Sequence, residues 1–171
     1  MKAFDFTVIA SGLDPETEDF EDRFFEAGCD DATISFSKGL IVLEFHREAK
    51  NFAQAVYSAA ADILKAGALL ERVEPDYLVS GSDIAARSGL SRAAVSLYAK
   101  GERCDHFPPP VLRITSESPL WDWVAVSQWM FRNEKIASSS ICVEARVVKR
   151  ANELLAGGRG RPIGERSAQL A

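Results

Sequence analysis

The stretch Leu78-Val79-Ser80-Gly81-Ser82-Asp83-Ile84-Ala85-Ala86-Arg87-Ser88-Gly89-Leu90-Ser91-Arg92-Ala93-Ala94-Val95-Ser96-Leu97-Tyr98-Ala99-Lys100-Gly101 decides how the chain is read. Ser82 is placed to cap a short helix through Arg87, and Gly89 to take the positive φ of a tight turn. Ser91 is placed to cap a second helix that ends near Gly101. Ile84, Ala85, Leu90, Val95 and Tyr98 would close a small core between the two, with Ala85 small enough for close approach. Two short helices joined by so brief a turn predict a helix-turn-helix. An ordinary helical hairpin is the alternative, and Ser88 stands where many such motifs carry an apolar residue.

The residues that follow extend the pattern. Phe107-Pro108-Pro109-Pro110-Val111-Leu112-Arg113-Ile114 reads as a rigid proline segment leading into a strand, and Thr115-Ser116-Glu117-Ser118-Pro119 as a turn. Leu120-Trp121 returns as a second short strand, and Asp122 is placed to cap a helix through about Phe131. Two short strands after a helix-turn-helix make a β-wing. In this order of elements, residues 78–131 resemble the winged helix-turn-helix domains of phage excisionases and MerR-like regulators. The resemblance implies a recognition helix in the major groove and a wing against the backbone or minor groove. Trp121, Trp123 and Trp129 sit beside apolar residues and are expected in the core rather than as base-stacking platforms.

Upstream, residues 4–10 alternate Phe4, Phe6 and Val8 with Asp5 and Thr7, the period of a strand. Asp14-Pro15-Glu16 has the composition of a helix start, Phe20 and Phe24 share a face, and Gly28 is placed as the stop. Ile34 and Phe36 alternate in a second strand, Lys38-Gly39 turns, and Ile41, Leu43 and Phe45 alternate in a third. Phe52, Val56, Ala60, Ile63 and Leu64 form the stripe of a helix over about residues 50–65, and residues 69–73 form a last strand. The order βαββαβ predicts an α+β chain whose first domain is ferredoxin-like, followed by a mostly helical winged helix-turn-helix domain. A further helix over residues 141–155 carries an apolar face of Ile141, Ala145, Val148 and Leu155, suited to packing on the first domain or on a partner chain.

The chain has 171 residues with 47% apolar and 26% charged, which excludes wholesale disorder. Residues 1–75 hold 7 Lys and Arg against 15 Asp and Glu, a balance of −8; residues 76–171 hold 13 against 10, a balance of +3. The change falls at Pro75, so the expected domains are 1–75, 76–156 and a basic tail over 157–171. No apolar run is long enough to span a membrane, and no basic segment followed by an apolar core suggests secretion. Three widely spaced cysteines, Cys29, Cys104 and Cys142, argue against a disulfide framework and for the reducing cytoplasm. Neither metal-ligand spacing nor a phosphate-binding glycine loop occurs, so no cofactor or metal is expected. The acids around residues 16–26 read as a solvated helix face, His46 has no nucleophile at a motif spacing, and Cys104-Asp105-His106 reads as a loop.

These residues point to a non-enzymatic, sequence-specific regulator of transcription that binds double-stranded DNA, working as a homodimer. Ser91, Arg92, Ala93, Ser96, Leu97 and Lys100 would line the recognition helix, with Arg113 on the wing. Arg159-Gly160-Arg161-Pro162 resembles the core of AT-hook peptides, which implies Arg159 and Arg161 in a narrow minor groove. The first domain would pair two copies or sense an unknown small-molecule effector. The rival reading is a protein-interaction adaptor or antitoxin-like component whose winged domain binds protein. A small enzyme built on the first domain comes third.

Overall fold

In β1 (Lys2–Ser11), Phe6, Val8 and Ala10 are buried while Asp5 is exposed, the alternation of a half-covered strand. The computed structural model describes residues 1–158. β1 pairs antiparallel with β3 (Leu40–Ala49), so that Phe6 faces Phe45 and Val8 faces Leu43; the two phenyl rings stack with centroids 5.3 Å apart. On its other side β1 pairs with β4 (Leu69–Glu74), with a register shift between Ile9 and Ala10. β2 (Ala32–Ser37) pairs with β3 through the two-residue turn Lys38-Gly39, both at positive φ. The antiparallel sheet has the order β2-β3-β1-β4.

Two helices join these strands. α2 (Phe52–Lys65) is capped by Asn51, whose side chain accepts from the Gln54 N–H, and it buries Phe52, Ala55, Val56, Ala59, Ala60 and Ile63. Alanine at three of those positions lets the helix lie close on the sheet. α1 (Phe20–Ala27) begins later than its acidic lead-in predicts. Asp14 accepts from the Glu16 N–H at 3.0 Å, and the Thr17 hydroxyl donates to the Asp14 carbonyl at 2.6 Å. Those local bonds satisfy the backbone in turns and compete with helix. The helix starts only where Phe20 and Phe24 can be buried, and Gly28 ends it at φ 112°.

One position on the buried face of β3 breaks the apolar pattern. Arg47 is 7% exposed between Phe45 and Ala49. Its guanidinium donates twice to Asp31, at 2.8 Å each, to Asp62 at 2.6 Å, to Ser58 at 3.2 Å and to the Gly28 carbonyl at 2.7 Å. Burial pulls its pKa down, and the bonds to Asp31 and Asp62 more than reverse this, so the group stays charged.

The chain divides into two units, Met1–Pro75 with the described residues from Arg150 on, and Asp76–Lys149. The last helix, α6 (Ser140–Gly158), contributes to both. Residues 150–158, expected with the second domain, group with the first, and Asn152 is one tie between them: it covers Val73 on the outer side of β4. Its amide accepts from the Val73 N–H at 2.8 Å and donates to the Val73 carbonyl at 2.9 Å. Arg159 and Arg161 lie outside the described residues. Among the described residues no helix is long and apolar enough to cross a membrane.

The second unit starts with a strand that the sequence pattern does not announce, β5 (Leu78–Val79), paired with β6 (Trp121–Asp122). α3 (Gly81–Ser88) is capped by Ser80 rather than Ser82; Ser80 and Asp83 form a reciprocal capping box. Gly89 turns at φ 72°, and Ser91 caps α4 (Arg92–Ala99) by accepting from the Ala94 N–H. Ser88 fits among apolar neighbours because its hydroxyl donates to the Ile84 carbonyl at 2.7 Å. Asp122 caps α5 (Trp123–Arg132).

Val79, Ile84, Val95, Tyr98, Trp121, Trp123, Val126 and Met130 form the second core. The indoles of Trp121 and Trp129 donate to the carbonyls of Pro108 and Asp105, each at 3.1 Å, and so tie down the loop after α4. All three indoles are buried, so none is presented for base stacking.

Candidate functional site

α4 is held from beneath by Ala94, Val95 and Tyr98, all buried. With those three facing inward, the helical period turns Ser91, Arg92, Ala93, Ser96 and Lys100 outward, and all five are exposed, while Leu97 is half-buried. The outward residues fall into two stripes. Arg92, Ser96 and Lys100 line a hollow of about 560 Å³ together with Ser80, Gly81 and Ser82 at the start of α3 and Glu117, Ser118 and Pro119 further on. Ala93 and Leu97 occupy the neighbouring stripe. Ser91 accepts the Ala94 N–H at 3.1 Å through its hydroxyl oxygen, which leaves the O–H as a donor on the outer face.

The strand expected to follow the proline segment is reduced to one bridge. Leu112 faces Leu120, with the Leu120 N–H donating to Leu112 at 2.9 Å and the Val111 N–H to Leu120 at 2.8 Å. Prolines 108–110 offer no N–H to a ladder, and Arg113 at φ 52° turns the chain away. Ser116 then donates to the Arg113 carbonyl through its amide and its hydroxyl, both at 3.0 Å. The result is an exposed projection with Arg113 on its turn, outside the hollow. Val111, Leu112 and Ile114 on it are 48%, 49% and 68% exposed.

The electrostatics of this surface follow from which charges are already used. Asp83 is tied to Ser80, whose hydrogen bonds hold its carboxyl below the usual range. Arg87 lies 5.5 Å over the Trp123 ring, and burial lowers its pKa. Arg92, Lys100 and Arg113 make no ion pair among the described residues. Exposed cations without local carboxylate partners can meet an external anion without first breaking an ion pair. Glu117 is the exception in charge, a carboxylate facing the same hollow as Arg92 and Lys100.

Sequence reasoning missed Ser80, Gly81 and Glu117 as lining residues. Ser80 lies two residues before the expected cap Ser82, and Glu117 sits in a segment legible only as a turn. A second hollow, about 480 Å³, opens on the uncovered side of the first unit's sheet, lined by Ile9, Leu40, Val42, Glu71, Arg72 and Lys38 among others. Elsewhere in that unit, burial and the nearby Asp62 push the Cys29 thiol up to about 12, so it carries no thiolate. His46 is exposed, its Nδ1 2.6 Å from Asp5. Compared with family models, curated proteins and solved structures, the chain finds no match in any of the three.

Proposed function

We propose that this chain is a sequence-specific, double-stranded-DNA-binding regulator of transcription, in which α3 and α4 are a helix-turn-helix and the projection over residues 111–120 is a reduced wing. On this reading the first unit is a ferredoxin-like accessory domain and no chemical step is catalysed. One observation carries the reading: α4 is anchored by buried Val95 and Tyr98 while it turns Arg92, Ser96 and Lys100 outward without ion-pair partners among the described residues. Arg92, in the first turn, has the fork geometry to donate twice to a guanine edge; Lys100, just past the last turn, suits a phosphate. Ala93 is small enough to let the helix sit deep. Arg113 would add a backbone contact from the wing. The three free cysteines fit a cytoplasmic setting.

Selection of bound sequences from random duplex DNA, followed by affinity measurement at two salt concentrations, tests the reading. A recovered consensus, with affinity falling steeply with salt, is the expected result. Failure to enrich any sequence overturns it.

One observation favours a second reading, a protein-binding adaptor. Val111, Leu112 and Ile114 are apolar, exposed and close together on the wing. A wing that touched only phosphates would gain little from them, whereas a protein groove would bury them. Binding that resists salt and is lost on Ile114→Ser would favour that partner.

A further inference from the structure

The four-stranded sheet has two edges, and they are treated differently. β4 is covered at one position of its outer side, where the Asn152 amide takes both the N–H and the carbonyl of Val73. β2 has no such cover. The His46 N–H donates to the Asp31 carbonyl at 3.0 Å, so the odd-numbered residues of β2 turn their backbone groups to β3. Ala32, Ile34 and Phe36 therefore turn theirs outward. The Ala32 N–H is used by the Cys29 carbonyl at 3.1 Å; among the described residues nothing pairs with the outward groups of Ile34 and Phe36. The strand Ala-Thr-Ile-Ser-Phe-Ser carries none of the devices that blunt an edge, neither charge nor proline nor bulge.

What fits this edge can be read from its ends. Asp30, just before β2, and Lys38, just after it, are both exposed and have no ion-pair partner among the described residues. An antiparallel copy of the same strand reverses that order. With Ile34 on the axis, Phe36 of each copy lies opposite Ala32 of the other, and the turn that carries Lys38 in one copy comes to the end of β2 that follows Asp30 in the other. The phenyl ring, 49% exposed in the single chain, would then lie over the smallest side chain of the strand. Side-chain size and the outward backbone groups of Ile34, with the Phe36 N–H against the Ala32 carbonyl, are thus self-complementary in one register, as an isologous interface requires.

We propose that a second copy of this chain pairs antiparallel with β2 about a two-fold axis at Ile34, joining the two four-stranded sheets into one. Ile34 of each copy exchanges both backbone bonds with Ile34 of the other, and each Phe36 N–H donates to an Ala32 carbonyl. This concerns the first unit alone and does not rest on the DNA-binding reading.

Charge reversal in the full chain, followed by sedimentation equilibrium without DNA, tests it. Along one chain Asp30 and Lys38 lie beyond opposite ends of the six-residue β2, itself about 20 Å long at 3.3 Å per residue, too far apart to interact directly. Any coupling between them must therefore cross the interface. The wild type should be dimeric. Lys38→Glu and Asp30→Lys should each weaken the dimer about tenfold, since two symmetric attractions become repulsions, and the double reversal should recover it. Phe36→Lys should give monomer, with circular dichroism unchanged. In the wild type the Ile34 and Phe36 amides should exchange more slowly as concentration rises. A monomeric wild type, a dimer indifferent to the single reversals, or a double reversal without recovery overturns the proposal.

Discussion

Replacing Arg47 by Met should destabilise the first unit by about 3 kcal/mol, the lower end of the range for removing one partner of a buried ion pair. Five hydrogen bonds are lost, four of them at 2.8 Å or less, and the bidentate pair with Asp31 is the most directional. The lower end applies because the stranded carboxylates are not sealed in: the Asp31 and Asp62 side chains are 29% and 28% exposed and can draw water. The methionine stem keeps most of the packing under Phe45, whose ring lies 4.9 Å from the guanidinium carbon.

All three tryptophans lie in the second unit, so indole fluorescence does not report this change. Native-state amide exchange does. About 3 kcal/mol corresponds to roughly a hundredfold faster exchange at the most protected amides of β1 and β3. Adding Asp31→Asn and Asp62→Leu should recover part of the loss, because a neutral trio avoids stranded charge; the Gly28 carbonyl, left without its donor, keeps the recovery incomplete. Exchange accelerated less than threefold in Arg47→Met would refute the idea that this network holds α1, α2 and β3 together.

Arg92→Ala should cost roughly 1–3 kcal/mol in DNA affinity and relax preference at one base pair, whereas Lys100→Ala should weaken all sequences alike and lower the salt slope by about one; equal affinity in a folded double variant would remove α4 as the reader. Asn152→Leu strands the N–H and carbonyl of Val73 at a cost of about 1–3 kcal/mol, seen as faster exchange at the Val73 amide. The Asp5 hydrogen bond raises the pKa of His46, so its small contribution to stability is full below the ordinary histidine value and is lost as pH rises through the raised one. Asp5→Asn should bring the His46 titration, followed by NMR, down towards that ordinary value. An unchanged midpoint would mean that the pair does not form in solution.

The cap of α4 and one residue within it show how far local reading reaches. Ser91 and Val95 state their own roles: a small polar residue before a helical stripe is a cap, and an apolar one at the stripe's spacing is core. The same holds for the alternation of β1 and β3 and for the Lys38-Gly39 turn. Boundaries that depend on competition were harder to place. Asp14 offered a helix start, and its own turn bonds defeated it; Ser82 offered a cap, and Ser80 with Asp83 made a better one.

By itself, the sequence determined the α+β class, the order of elements in the first unit and the outward stripe of α4, because each follows from spacings of two to four residues. Only the tertiary structure decided what lies between distant residues. Arg47 on an apolar strand position reads as an anomaly until Asp31 and Asp62 surround it. Nothing near Asn152 announces that it seals Val73, 79 residues away, and so leaves β2 as the edge without such cover. Glu117 faces Arg92 and Lys100 only because the projection bends back towards α4. Period and capping act within a few residues, whereas the desolvation of a charge or of a strand edge depends on whichever segments folding brings alongside it.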